Sequence, residues 1–291
     1  MTTWIIANPV AGGGRARARA EKAALALQSA GRKIELHYTN QKGDGRRLAE
    51  QAVGDEARTL IVCGGDGTIS ETLPALVGSS TTLALLPFGT ANDLARALGI
   101  PRDITGAVRY LLSGQPAPID LGQIGDHYFS TVAAFGFDAE VSEAMSLGQA
   151  PLAGTLGYLL QTLRHLRHFR PPQVVLRGAF GEIEQRIFLV AVGNTRSYGG
   201  GMAIAPQANP HDGLFDVCIA NEVSTATALS LLPRIFSGHH IDHPSIRIVR
   251  TDFLEIDCGE RRLLYADGER VGQTPLTLHT AAAALQILLP V

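Results

Sequence analysis

The chain has 291 residues, 45% hydrophobic and 18% charged, with a net charge of −2. That length exceeds one ordinary domain and is enough for two sizeable cores. The composition is that of a soluble globular protein, and the near-neutral charge excludes the basic footprint of a nucleic-acid binder. No stretch approaches the ~18 uninterrupted apolar residues of a membrane span, and Met1 to Ala7 lacks the basic and long apolar regions of a signal peptide. Cys63, Cys218 and Cys258 lie far apart without paired metal spacing. Cys63 and Cys218 sit in apolar runs, which points to buried free thiols and a reducing cytoplasm.

Trp4 to Ala7 predicts a first strand, followed by the loop Asn8-Pro9-Val10-Ala11-Gly12-Gly13-Gly14. A helix follows with Ala16, Ala20, Ala23, Ala24 and Leu27 on one face, small enough to pack closely on a sheet. Ile34 to Thr39 reads as a second strand, and Leu48 to Val53 belongs to a second helix. Leu60-Ile61-Val62-Cys63 reads as a buried parallel strand. It runs into Gly64-Gly65-Asp66-Gly67-Thr68, with a helix expected from Thr68. A glycine-rich turn between strand and helix lets backbone N–H groups approach phosphate oxygens closely. The carboxylate of Asp66 would repel a phosphate, so a Mg²⁺ ion or ordered water must mediate. No Lys follows the glycines, which separates this turn from the Walker loop. A plain turn with Asp66 capping the helix is the alternative.

Leu83 to Leu86 is a fourth strand, ended by Pro87. Phe88 to Asp93 then turns into a helix over Leu94 to Leu98, and a further helix covers Ala107 to Leu112. The alternation implies a doubly wound parallel sheet with helices on both faces. Its carboxyl edge, where such sheets bind ligands, would carry the Asn8, Thr39, Asp66 and Thr90 loops. From Asp120 the pattern changes to short strands between turns, including Tyr128 to Val132, Gln173 to Leu176, Ile187 to Val192 and Leu214 to Ile219. That predicts an all-β antiparallel sandwich. The expected domains are 1–118, a nucleotide-binding α/β domain, and 119–291, a sandwich for the acceptor. The segment Pro275 to Val291 could pack back on the first domain.

Gly64-Gly65-Asp66-Gly67-Thr68 followed by Pro87-Phe88-Gly89-Thr90-Ala91-Asn92-Asp93-Leu94-Ala95-Arg96 resembles the diacylglycerol kinase catalytic domain family, which includes bacterial lipid kinases and sphingosine kinases. The first motif is shared with NAD kinases, whereas the second is far more specific to lipid kinases. Asn8-Pro9, Gly199-Gly200-Gly201, Ala205-Pro206, Asp212 to Val217 and Asp267-Gly268-Glu269 are similar as well, so the resemblance spans about residues 4 to 270. It implies that Gly64, Gly65, Asp66, Gly67, Thr68, Ile69 and Ser70 hold nucleotide phosphates, with Asn8, Thr39 and Thr90 nearby. Many members carry Asn where this chain has Ser70. Asp66 and Asp93 would hold a catalytic Mg²⁺, and Glu269 would be the general base, supported by Asp267. A structural Mg²⁺ would sit on Asn209, Asp212 and Leu214, the first and last through backbone carbonyls.

Phosphoryl transfer asks a protein mainly for charge neutralisation and an aligned nucleophile. A lipid hydroxyl is a poor nucleophile, so a positioned base contributes roughly 10²–10⁴-fold. Glu269 suits that role if folding brings the second domain over Asp66. Asp267-Gly268 and Asp212-Gly213 equally suit plain turns, and Asn92-Asp93 suits a helix cap. Arg15, Arg17 and Arg19 could steer ATP or an anionic headgroup, or form a solvated helix face. Leu152 to Arg170 has Leu156, Leu159, Leu160, Leu163 and Leu166 at helical spacing, with Arg164, His165, Arg167, His168 and Arg170 as a basic face. It could lie on an anionic membrane or pack against the sandwich. His239, His240 and His243 with Asp242 read as a polar loop rather than a metal cluster, and no Gly-x-Ser-x-Gly elbow supports a serine hydrolase.

The expected activity is an ATP-dependent, Mg²⁺-requiring lipid kinase acting on a lipid alcohol such as diacylglycerol. It would be cytoplasmic, with peripheral contact at the inner membrane face and an apolar groove between the domains for the acceptor. An NAD kinase and a catalytically silent nucleotide- or lipid-binding regulator are the alternatives.

Overall fold

The computed structural model describes residues 2–147 and 162–291. The chain forms two compact units, Met1–Leu121 with Ala282–Val291, and Gly122–Ala281.

In the first unit, strands β1 (Thr2–Ala7), β2 (Lys33–Tyr38), β3 (Thr59–Gly64) and β4 (Thr82–Pro87) alternate with helices α1 (Ala16–Ser29), α2 (Asp44–Gly54), α3 (Asp66–Leu76), α4 (Asp93–Ala97) and α5 (Ile104–Ser113). The strands are parallel in the order β2-β1-β3-β4, with Ile5 opposite both Leu36 and Ile61, and Val62 opposite Leu85. Every residue of β3 and β4 is buried, as expected of central strands covered on both faces. The α1 face that packs inward is Ala16, Ala20, Ala23, Ala24 and Leu27, the small-residue stripe read from the sequence.

The chain's last residues complete this sheet. Ile287 of the long strand β15 (Leu276–Leu289) pairs in parallel with Leu83. The buried hydroxyl of Tyr110 on α5 donates to Leu288 O (2.9 Å) and accepts from Leu85 N–H (3.3 Å), so one side chain links two strands and a helix.

The second unit holds β6 (His127–Phe129), β7 (Val132–Gly136), β8 (Gln173–Gly178), β9 (Gly181–Gly193), β10 (Phe215–Asn221), β11 (Ile246–Thr251), β12 (Phe253–Asp257), β13 (Leu263–Ala266) and β14 (Glu269–Gln273). It also contains the end of β5 (Gln115–Ile124) and the first part of β15. One antiparallel sheet runs β14-β13-β7-β9-β10-β11 and another joins β8 to β12 and β15. The first half of β9 pairs with β8 and its second half with β7 and β10, so this strand serves both sheets. Val174, Leu176, Leu254, Ile256 and Leu278 from one sheet interdigitate with Phe135, Val190, Val192, Val217 and Leu264 from the other, which makes the unit an antiparallel sandwich.

The sandwich also carries two helices that the sequence reading did not identify. Helices occupy Phe137–Ser146 and Thr225–Ser237. The second is capped by Ser224, whose side chain accepts the Thr227 N–H, and it ends at left-handed Gly238. These helices meet residues that alternation in β9 and β10 points away from the sandwich core. Of the Leu152 to Arg170 segment, residues 152–161 lie outside the described residues. Residues 162–166 are helical, and Leu166 and Phe169 pack with Phe137, Val141 and Ala228.

Candidate active site

The Gly64–Thr68 turn is held by contacts too close for side chains. A Cβ on Gly65 would lie 2.9 Å from Gly89 Cα, and one on Gly89 would lie 2.4 Å from Gly65 Cα. A Cβ on Gly64 would meet Thr68 Oγ1 at 2.7 Å. The loops leaving β3 and β4 therefore cross backbone against backbone. Gly64 O accepts from both Phe88 N–H and Gly89 N–H, at 2.8 and 3.2 Å. Asn92, left-handed at φ 52, closes the second loop by exchanging side-chain hydrogen bonds with Gly89 N–H and O.

Helix α3 starts at Asp66, two residues before the expected start, and its N-cap is Gly65. Asp66 is thus a first-turn residue, not the cap. Its Oδ1 accepts the Asp93 N–H at 2.9 Å, which brings the first residues of α3 and α4 together. Asp93 is itself buried, with its carboxylate 3.9 Å from Arg96 Nε. Two carboxylates on the carboxyl edge of a parallel sheet offer hard oxygen ligands. Mg²⁺ commonly takes one or two such carboxylates and completes its shell with water and substrate phosphate, so the pair fits that ion.

The remaining turn residues differ in what they expose. Asn8 Nδ2 approaches Thr68 Oγ1 at 3.5 Å, and Thr39 is buried beside β1 through its N–H to Ala7 O. The Ile69 side chain is buried and its N–H bonds to Gly65 O. Thr90 is exposed and Ser70 half-buried. Two residues that sequence reasoning passed over position the Thr39 loop. Asp44 Oδ2 accepts from Asn40 N–H and Gln41 N–H, and Glu71 on α3 accepts from Gly43 N–H and Gly45 N–H, both at 2.9 Å. The Asn40 amide, with Arg47 next, holds the Asp44 carboxyl below its ordinary range. Only acidic residues at helix starts hint at these clamps; the Glu71 partners are 26 to 28 positions away.

In the sandwich, Asp267 and Gly268 have φ of +50 and +81, the two left-handed residues of a tight hairpin turn. They join β13 to β14 and place Glu269, half-buried, at the first position of β14. The Asp267 carboxylate accepts from Ser130 N–H (2.7 Å), Ser130 Oγ (2.9 Å), Thr131 N–H (2.9 Å) and Thr131 Oγ1. Buried Asn194 extends the network by donating its side-chain N–H to Ser130 O. Asp267 is a hub that fixes the turn carrying Glu269.

Near the third motif, Asn209 is exposed, and Asp212 Oδ1 accepts the Leu214 N–H at 3.1 Å. Asp212 also pairs with Arg250, whose Nε lies 3.5 Å from the fully buried Asp216. Burial pushes the Asp216 carboxyl up, against the pull of Arg250. Asp212 and Asp216 thus share one guanidinium. The histidine run does not converge. His239 faces Asp242 at the surface, while His240 is buried with Nε2 3.0 Å from Ile204 O. Among the described residues no cluster of three acidic, His or Cys side chains could hold a metal.

The outward face of the β9–β10 sheet and the helix Thr225–Ser237 enclose an apolar cavity of about 80 Å³, lined by Phe137, Phe188, Met202, Leu231 and Ile235 with the buried carboxylate Asp138 among them.

Residues 2–124 match the diacylglycerol kinase catalytic domain, and residues 131–289 match the YegS C-terminal NAD kinase beta sandwich-like domain. A diacylglycerol kinase of Mycobacterium tuberculosis is 34% identical, with 98% of this chain and 94% of that protein covered. The chain belongs to the diacylglycerol kinase family. A Bacillus subtilis diacylglycerol kinase is 32% identical, with 93% of this chain and 90% of that protein covered. A crystal structure of a diacylglycerol kinase from Bacillus anthracis superposes with a TM-score of 0.83 over 99% of this chain and 96% of its own, at 24% identity, and so shares the fold. Membership supports a phosphotransferase of the lipid-kinase type; the first match falls on the α/β unit, and the second covers the sandwich and runs on into the Ala282–Val291 segment of the first unit. No helix among the described residues is long and apolar enough to cross a membrane.

Proposed function

We propose that this chain transfers the γ-phosphoryl group of ATP to the hydroxyl of a lipid alcohol such as diacylglycerol, with Mg²⁺ required. The observation that carries the reading is the Asp66–Asp93 pair beside the Gly64–Thr68 turn, where the Asp93 backbone N–H donates to Asp66 Oδ1 at 2.9 Å and sets the two acidic residues side by side. The glycines admit the nucleotide's phosphates to the backbone, with Asn8, Thr39, Ser70 and Thr90 around them. Asp66 and Asp93 hold Mg²⁺, which neutralises charge on the transferred group. Glu269 takes the proton of the lipid hydroxyl. That oxygen then bonds to the γ-phosphorus as the bond to the β–γ bridging oxygen breaks, and ADP leaves. Asp267 keeps Glu269 in place through Ser130 and Thr131.

The relatives' names support diacylglycerol as acceptor. The apolar cavity beneath helix Thr225–Ser237 offers a place for the start of an acyl chain. At about 80 Å³ it takes only a short length of hydrocarbon before its walls must move. The acceptor requires contact with a membrane surface, and ATP places the reaction in the cytoplasm. A structural Mg²⁺ would be held by Asn209, Asp212 and Leu214, the first and last through backbone carbonyls, with Asp212 exchanging its Arg250 partner for the ion.

NAD is a second acceptor to test, because the sandwich matches a domain described as NAD kinase-like. Purified protein with γ-labelled ATP and Mg²⁺ is presented with detergent-dispersed diacylglycerol, phosphatidylglycerol, sphingosine and ceramide, and with NAD. Label in a lipid alcohol is the expected result. Label in NAD alone overturns the lipid reading, and label in none with nucleotide bound favours a regulatory role.

A further inference from the structure

The start of helix α2 is closed by a side chain from another helix. Its N-cap is Gly43, left-handed at φ +90, which has no side chain to accept an amide of the first turn. Glu71, in the second turn of α3, fills that place. Its Oε1 accepts Gly43 N–H and its Oε2 accepts Gly45 N–H, both at 2.9 Å. A helical side chain leans toward its own N-terminus, so Glu71 reaches back toward the carboxyl edge of the sheet. The fit leaves no slack, because a Cβ on Gly45 would lie 2.6 Å from Glu71 Oε2 and 2.9 Å from Glu71 Cβ. Both carboxylate oxygens serve backbone donors, a demand that an amide side chain meets with one oxygen only.

Asp44, between the two glycines, extends the hold to the loop ahead of α2. Its Oδ2 accepts Asn40 N–H at 2.8 Å and Gln41 N–H at 3.2 Å. The Thr39–Gly43 loop is thus tied to α2 by Asp44, and α2 is tied to α3 by Glu71. Helix α3 is the one that begins at Asp66, so the loop and the glycine turn belong to one braced unit.

The level and spacing of the strands give this brace a purpose. Thr39 N–H bonds to Ala7 O, and Asn8 N–H bonds to Cys63 O, so the ends of β2, β1 and β3 stand level. Thr39 is two strands from Gly64 in the order β2-β1-β3-β4, a distance of roughly 10 Å at the usual strand spacing. Asp66 and Asp93 meet on the β3–β4 side. A nucleotide whose terminal phosphates face that pair extends its sugar and base the other way, past Asn8 to the Thr39 loop.

We propose that Glu71 is a positioning residue for the nucleotide. It does not touch the reacting atoms. It holds the Thr39–Gly43 loop where the nucleoside end arrives, while Asp66, at the start of the same helix, serves the phosphates. The inference rests on the kinase reading and adds to it a residue whose loss affects nucleotide capture and not the chemical step.

The test is calorimetric titration of the full chain, with Mg²⁺, by the non-hydrolysable ATP analogue AMP-PNP and separately by inorganic tripolyphosphate, which has the phosphates without a nucleoside. Glu71→Gln weakens AMP-PNP about tenfold and leaves tripolyphosphate within a factor of about two. In steady-state transfer to dispersed diacylglycerol the same variant raises KM for ATP by a similar factor with kcat unchanged, a split that general loss of structure does not produce. Gly45→Ala, which pushes on the carboxylate from the other side, reproduces the pattern. Glu50→Gln, exposed on α2 and paired with Arg46, changes neither affinity. Equal AMP-PNP affinity in Glu71→Gln overturns the role. So does a matching loss of tripolyphosphate, which marks the residue as a support of the fold alone. The binding arm needs no acceptor, so it decides even where diacylglycerol is not the substrate. Failure of AMP-PNP to bind the parent chain counts against the kinase reading itself and takes the role of Glu71 with it.

Discussion

The two units hold their candidate residues in opposite ways. In the α/β unit the scaffold is backbone: Gly65 and Gly89 approach too closely for a Cβ on either, and Asp66 reaches the Asp93 amide across two strand ends. In the sandwich the scaffold is a side chain: the Asp267 carboxylate gathers four donors from Ser130 and Thr131, and Glu269 follows two residues later. A backbone scaffold tolerates no added atom, whereas a side-chain hub tolerates a change of shape but not the loss of its acceptors.

The difference can be broken at named residues. The largest effect is expected at Asp66→Asn. Asn keeps an oxygen to accept the Asp93 N–H, so the geometry survives while the charge is lost. Turnover should fall about hundredfold, and the Mg²⁺ concentration for half-maximal rate should rise. An unchanged Mg²⁺ dependence would leave Asp66 a purely structural role. Asp267→Asn comes next. Asn tolerates the left-handed turn but turns an N–H₂ toward donors on Ser130 and Thr131, both buried. A stability loss of about 2 kcal/mol in chemical denaturation is expected, with turnover falling alongside it. Gly89→Ala sharpens the contrast from the other side, because its Cβ would sit 2.4 Å from Gly65 Cα. It should cost roughly 1–2 kcal/mol by forcing the two loops apart and should weaken nucleotide affinity more than it changes Mg²⁺ dependence.

Much of this was legible in the sequence, and the omissions have physical causes. Leu60 to Cys63 and Leu83 to Leu86 could be read because a strand buried on both faces is continuously apolar. The α1 stripe could be read because its alanines repeat at helical spacing. Helix Thr225–Ser237 was missed although Ser224 and Gly238 mark its ends. Pro233 interrupts the pattern, although Ala228, Leu231, Leu232 and Ile235 on its inward face repeat at helical spacing. His240 was read as part of a polar loop, and it is buried against Ile204 and Cys218. The motif residues Asp66, Asp93, Asp267 and Glu269 were visible as residue types at turns. Their partners at Asp93 N–H, Ser130 and Thr131 were not, because those contacts join segments 27 and about 137 positions apart.

The smallest expected effect concerns Asp44, whose carboxyl is depressed chiefly by the Asn40 N–H. A depressed acid contributes stability above its unfolded value, ordinarily 3.8, and loses it as pH falls through the lower folded value. Unfolding midpoints measured below pH 3.8 should therefore decline less steeply in Asp44→Asn than in the parent chain. Equal slopes would remove Asp44 from the set of residues that fix the Thr39 loop.

The central claim is that Glu269 acts as the base in phosphoryl transfer to a lipid hydroxyl. A single-turnover measurement with γ-labelled ATP, Mg²⁺ and dispersed diacylglycerol, comparing the parent chain with Glu269→Gln, tests it most directly. Label transfer should fall by roughly 10²–10⁴-fold while nucleotide affinity stays within a factor of about two. Transfer at the parental rate would contradict the assignment of Glu269, and an absence of transfer in the parent chain itself would contradict the lipid kinase reading.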